Sequence, residues 1–200
     1  MTLSAEFLDA VALAADPLPR AVNLPWPIPG NPAGFVRFAN FAEWRDFWLR
    51  LSLRRLVPQI ISAKFERAQK LHVLAWIDFD LIKSGELVAL NCLELALKDR
   101  YGQHVKDKRG NMRFADLLRY MPERDGLTDD KVPMIRRCGG TVIDLLTGKR
   151  EPSLADIRNE LAHGYPFDGL PQAGLLELVR DLIEYAYRAF DTRVRPSAAA

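Results

Sequence analysis

The chain has little of what would mark several large classes of protein. Its two cysteines, Cys92 and Cys138, stand at no metal or redox spacing. Two cysteines make no disulfide framework, and reduced thiols are the default. There are only three histidines, and no His/Cys/Asp cluster has metal-site spacing, so no metal or other cofactor is expected. No apolar run approaches the length of a membrane span. The N-terminal stretch carries Glu6 and Asp9 where a secretory signal would have a basic region. The expected location is therefore cytoplasmic. A formal net charge of +2 is too small for bulk attraction to nucleic acid, so any RNA site has to be a local patch. Internal repeats and low-complexity segments are absent as well.

What is present is an ordinary globular composition, with 48% hydrophobic and 27% charged residues in 200. That suffices for a packed core in one domain with an appendage. Residues 3–15 read as a short amphipathic helix. Between Asp16 and Gly34 fall Pro17, Pro19, Pro25, Pro27, Pro29 and Pro32. They predict an extended, largely unhydrogen-bonded arm pinned by Leu24, Trp26 and Ile28, with a linker as the alternative. From Asn40 the spacing turns helical through Phe41, Trp44, Trp48, Leu51 and Leu56, until Pro58 stops it.

Residues 59–82 read as one longer helix. Val73 to Leu81 also tolerates a period of two, but a lone strand would have no partner, so helix is preferred. Ser84-Gly85 is the next break. Residues 86–101 then present Leu87, Leu90, Leu93, Leu97 and Tyr101 on one face and end at Gly102. A charged loop follows, then a short helix from Phe114 to Tyr120. A further helix runs from Lys131 to Leu146, with Gly139-Gly140 as its point of interruption. The last element is a long helix from Gln172 to Asp191 with Leu175, Leu178, Leu182, Tyr185 and Ala189 as its stripe. Arg193 to Ala200 reads as a disordered tail. The sum is an all-α bundle over residues 84–191, four to five core helices, preceded by a helix and arm (1–39) and a helical extension (40–83).

The segment from Ser153 to Pro166 carries the chemistry. Ser153 is a good N-cap, Asp156 completes a capping box, and Pro152 and Gly164 close the helix at about ten residues. Leu154, Ile157 and Leu161 form its buried stripe. His163 falls about 150° from the stripe's centre, with Asn159 one turn below it on the same exposed side. Arg158 sits at the stripe's edge, where its stem packs and its head reaches out. An arginine for the phosphate and a histidine as proton shuttle are what metal-free RNA cleavage requires. The plainer alternative is a surface histidine favoured by the helix C-terminal dipole. Arg67 and His72 have the same spacing, but His72 lies among Leu71, Val73 and Leu74 without the flanking Asn and Gly. It reads as a packed helix residue.

Glu94 projects within about 50° of the Leu90–Leu97 stripe's centre, where an unpaired carboxylate would be costly. Arg158 is its candidate partner, with solvent or another arginine as the alternatives. Lys106, Lys108 and Arg109 in one loop, and Arg136 and Arg137 further on, are candidates to guide RNA, although charged loops are usually just solvated.

The pattern Arg158-Asn159-x-x-x-His163-Gly164-Tyr165, together with residues 86–102, resembles the HEPN superfamily of small helical ribonucleases. The resemblance covers roughly residues 84–191. It implies a four-helix bundle that dimerises so that two Arg/His motifs meet in one cleft. It also implies metal-independent RNA cleavage, usually in toxin–antitoxin or antiphage systems, with Arg158, His163 and Asn159 as catalytic residues. The supporting acidic residue on the preceding helix would be Glu94, with Asn91 a weaker choice. Tyr165 extends the likeness to HEPN toxins paired with a nucleotidyltransferase antitoxin, which silences them by adenylylating that tyrosine. Two alternatives remain: a HEPN-like module that binds nucleotide or RNA without cutting, and an interaction domain that holds a protein partner through the Pro/Trp arm.

Overall fold

The computed structural model describes residues 3–15, 21–54, 57–106, 110–164 and 170–188. In chain order the elements are α1 (Ala5–Ala15), β1 (Val22–Pro25), β2 (Phe35–Phe38), α2 (Phe41–Leu49), α3 (Gln59–Leu74), α4 (Leu81–Val105) and α5 (Phe114–Glu123). A 3-10 turn (Asp129–Lys131) leads into α6 (Pro133–Cys138), α7 (Ile143–Thr147), α8 (Leu154–Ala162) and α9 (Leu175–Tyr187). The chain is predominantly helical, with one two-stranded antiparallel sheet among the described residues.

The longest helix, α4, is the axis of the structure. Ile82, Ala89, Leu90, Cys92, Leu93, Ala96, Leu97 and Tyr101 are all buried along it, because α3, α5, α8 and α9 pack around it. A helix covered on several sides needs apolar residues on more than one face, and this blurs its amphipathic pattern. The expected break at Ser84-Gly85 is not there: α4 runs through it, and through Gly102, to Val105. The break comes earlier. The expected helix over 59–82 stops at Leu74, where Trp76 turns in against Trp44 and Phe41 at 6.0 and 6.3 Å. No strand forms between Val73 and Leu81.

The arm needs a larger correction. Residues 22–38 form a hydrogen-bonded hairpin with Leu24 opposite Val36 and Val22 opposite Phe38. Trp26 N donates to Gly34 O at 2.9 Å, and Ile28 N to Asn31 O at 3.0 Å. Pro25, Pro27 and Pro29 alternate with these donors. Their missing N–H groups therefore fall on the outer side of the strand, where a proline removes no ladder bond. Leu24 and Trp26 are buried as expected and Ile28 is half-buried. Trp26 meets Phe47 and Trp48 edge-on at 4.8 and 5.4 Å, a geometry aromatic pairs favour.

Asn40 caps α2 by accepting from Glu43 N. That helix ends at Leu49, short of Leu51 and Leu56; Leu56 lies outside the described residues. Gly139 and Gly140, at φ 83° and 89°, separate α6 from α7, so the stretch from Lys131 to Leu146 is two short helices. The end of the final helix past Arg188 and the tail also lie outside the described residues. No helix among those described is long and apolar enough to cross a membrane.

Candidate functional site

Helix α8 is set by its first residues. Ser153 Oγ accepts from Asp156 N at 3.2 Å, and Ser153 N donates back to Asp156 Oδ2 at 3.0 Å, a reciprocal capping box. With that end fixed, Leu154 and Ile157 turn into the core. Arg158 reaches the edge, and Asn159 and His163 face solvent. His163 is the C-cap, its N–H donating to Asn159 O at 2.9 Å. The His163 ring is exposed and makes no hydrogen bond to any described residue.

Arg158 is held on three sides. Its Nη2 donates to Glu94 Oε2, its Nη1 donates to Asn159 Oδ1 at 2.9 Å, and its guanidinium lies 5.6 Å from the centroid of the buried Phe114 ring. Its Nε is buried and has no partner. Glu94 also accepts from Lys98 Nζ at 2.7 Å. Burial alone would raise the Glu94 carboxyl. The hydrogen bonds and charges of Lys98 and Arg158 outweigh it and hold the group below the usual carboxylate range. Lys98 was not singled out from the sequence, although a lysine four residues after a glutamate on one helix is a legible pair. Phe114 carried no such signal, because its contact with Arg158 comes from the packing of α5.

The remaining candidates sit elsewhere. Lys106 is exposed at the end of α4; twelve residues of helix put it about 18 Å along the axis from Glu94. Lys108, Arg109 and Tyr165 lie outside the described residues. Arg136 is exposed. Arg137 is committed to the fold, donating through Nη1 and Nη2 to the two Glu177 oxygens at 2.9 Å each. Asn91 is half-buried. His72, the decoy, is buried at 2% exposure, hydrogen-bonded through Nδ1 to Ala68 O at 2.7 Å, and pushed down to about 4 by burial.

Three buried acids escaped the sequence reading. Glu86 Oε1 accepts from Gln172 N at 2.5 Å, and Lys83 Nζ stands 3.4 Å from its other oxygen without hydrogen-bond alignment. Lys83 Nζ itself donates to Leu170 O at 2.8 Å. Between them, Glu86 and Lys83 pin the chain as it enters α9. Asp181 Oδ2 accepts from Met134 N at 2.8 Å, and Arg180 bridges Asp181 and Glu177. No group of His, Cys, Asp and Glu among the described residues has the geometry to hold a metal ion.

A cavity of about 380 Å³ lies behind α8, lined by Leu154 and Ile157, by Met134 and Cys138 of α6, and by Pro27 and Pro32 of the hairpin. The chain matches no protein-family model, no curated protein and no solved structure.

Proposed function

We propose that the chain is a metal-independent endoribonuclease of the HEPN type, acting at a composite site made by two copies of Arg158, Asn159 and His163. The observation that carries this reading is the pairing of a braced arginine with an open histidine. Arg158 is fixed by Glu94 at the edge of α8, and His163 caps the same helix with its ring in solvent.

The chemistry follows from those groups. A neutral His163 imidazole takes the proton of a ribose 2′-hydroxyl, and the oxygen attacks the adjacent phosphorus. The bond from phosphorus to the 5′-oxygen breaks, and the partner subunit's His163 gives that oxygen a proton. The products are a 2′,3′-cyclic phosphate and a 5′-hydroxyl end. Arg158 has N–H groups left over from Glu94 and Asn159 for the phosphate oxygens, where charge builds in the transition state. Asn159 orients the guanidinium. Two copies are needed because the other histidines cannot serve: His72 is buried, and His104, ten residues along α4 from Glu94, is about 15 Å away along the axis.

In a toxin or antiphage setting such an enzyme needs restraint. The reading assigns that to a partner protein, a nucleotidyltransferase or other antitoxin, with Tyr165 as the modified residue. A Tyr165→Phe variant then cleaves RNA but cannot be silenced by nucleotidylation. The test of the function itself is the chemistry of the cut ends, read on purified protein and single-stranded RNA.

A further inference from the structure

Between the hairpin and the bundle lies a second concavity, of about 320 Å³. One wall is apolar and aromatic, with Trp26, Val36 and Phe47; Arg50, Arg137 and Arg180 bring three guanidiniums to it. A single carboxylate shares the lining, Glu177, and it is fully engaged. Arg137 holds it at 2.9 Å on both oxygens, and Arg180 adds a bond at 3.1 Å. Arg180 is also paired with Asp181 at 2.7 Å, so three cations meet two buried carboxylates and one positive charge is left over. Arg50 is exposed, lies 6.0 Å from the Phe47 ring centroid, and has no acidic partner among the described residues. Arg137 keeps 42% of its side chain exposed, so N–H groups not used by Glu177 remain open to solvent.

We propose that this concavity binds a nucleotide unit, with the phosphate on Arg50 and the outward face of Arg137 and the base against Phe47. An inorganic anion would use the arginines and leave the aromatic wall idle; an apolar ligand would leave the arginines idle. A base with its phosphate uses both. Stacking on an aromatic ring and a guanidinium is tolerant of sequence, and the planar arginine fork matches phosphate oxygens. As a hold on a substrate strand away from Arg158 and His163, the site rests on the ribonuclease reading. As a nucleotide site it stands without it.

The test uses the full chain carrying His163→Ala, in EDTA, so that a bound strand stays whole. Anisotropy with a labelled single-stranded RNA of about 12 nucleotides is read with AMP, inorganic phosphate and poly-glutamate as competitors. Arg50→Glu is expected to weaken RNA binding about tenfold, the loss of one charge-assisted phosphate contact. The slope of log affinity against log salt should fall by about 0.7. Pro29→Glu, which adds a carboxylate at an exposed lining position, should weaken binding in the same direction. Neither change should lower the melting temperature. AMP that competes in an Arg50-dependent way shows that a free nucleotide suffices; competition by RNA alone shows that the strand is required. Wild-type affinity in Arg50→Glu overturns the site, and so does phosphate or poly-glutamate competing as well as RNA at equal ionic strength. Arg50-dependent binding by a protein that never cuts RNA keeps this site and removes the ribonuclease reading. Cutting with no effect of Arg50→Glu does the reverse.

Discussion

A Cβ built on Gly85 would stand 2.6 Å from His72 Nδ1 and 3.3 Å from Leu71 Cβ. Gly85 is what lets α3 and α4 approach each other at the height of the buried histidine. Alanine in place of glycine inside a helix normally stabilises by up to about 1 kcal/mol. Here the overlap with a ring locked by Ala68 O reverses the sign. Gly85→Ala should lose about 1–2 kcal/mol net, seen as a lower urea midpoint with an unchanged slope; an unchanged or higher midpoint would mean that α3 moves freely.

One residue along α4, Glu86 makes stability depend on pH in the unusual direction. Burial pushes its carboxyl up to about 7 against the opposing pull of Lys83 and Gln172 N. The folded protein thus keeps a proton that the unfolded chain releases above about pH 4.5, and stability falls as pH rises from there to about 7. His72, pushed down to about 4, has the opposite slope. The unfolded chain takes up a proton below about pH 6.5 that the fold refuses, so stability falls as pH drops towards 4. The two slopes oppose each other over most of one window. Glu86→Gln removes only the first, and its stability relative to wild type should climb by about 2–3 kcal/mol between pH 4.5 and 7. A difference that stays flat with pH would show that folding does not shift the Glu86 carboxyl.

The sequence displayed those parts of the fold whose signals are local. The Ser153/Asp156 box, the Trp44–Trp48 spacing, the Gly139-Gly140 interruption and the stripe of α9 all depend on residues within a turn or two of one another. The hairpin was hidden because its evidence is a pairing across the chain, and because prolines at alternate positions look like a refusal to bond until the partner strand is known. The break at 75–80 was hidden because Trp76 leaves the helix for Trp44 and Phe41, 32 and 35 residues back. At the candidate site, the Glu94–Arg158 geometry was legible as a carboxylate on an apolar face needing a cation. Phe114 and the acids Glu86, Glu177 and Asp181 were not, since only tertiary packing gives them their partners.

Glu94 is assigned a positioning role, and Glu94→Gln separates position from fold. The change keeps the shape and removes the charge that holds Arg158 and Lys98. With side chains only 13% and 23% exposed, the pair is little screened, and removing the charge should cost about 1–3 kcal/mol of stability without unfolding the chain. Cleavage should nevertheless lose about tenfold in kcat with KM little changed, and Glu94→Asp should recover part of it. A kcat equal to wild type would remove Glu94 from the site.

Assembly is the next expectation. One chain supplies one exposed histidine beside Arg158, so the proposed composite site predicts a homodimer as the active form. Light scattering at micromolar concentration should give twice the chain mass, and activity per chain should fall on dilution below the dimer dissociation constant. Full activity from a monomer would contradict the composite site.

The account stands most directly on the products formed when purified protein meets single-stranded RNA in EDTA. It predicts cleavage without divalent metal, 2′,3′-cyclic phosphate ends, and no cutting where the 2′-hydroxyl is replaced by hydrogen. His163→Ala and Arg158→Ala should each abolish cutting while the circular dichroism spectrum stays that of wild type; His163→Ala should also leave the melting temperature unchanged, since His163 is exposed. Cleavage that requires Mg²⁺, cuts the deoxy substrate or survives His163→Ala would contradict it.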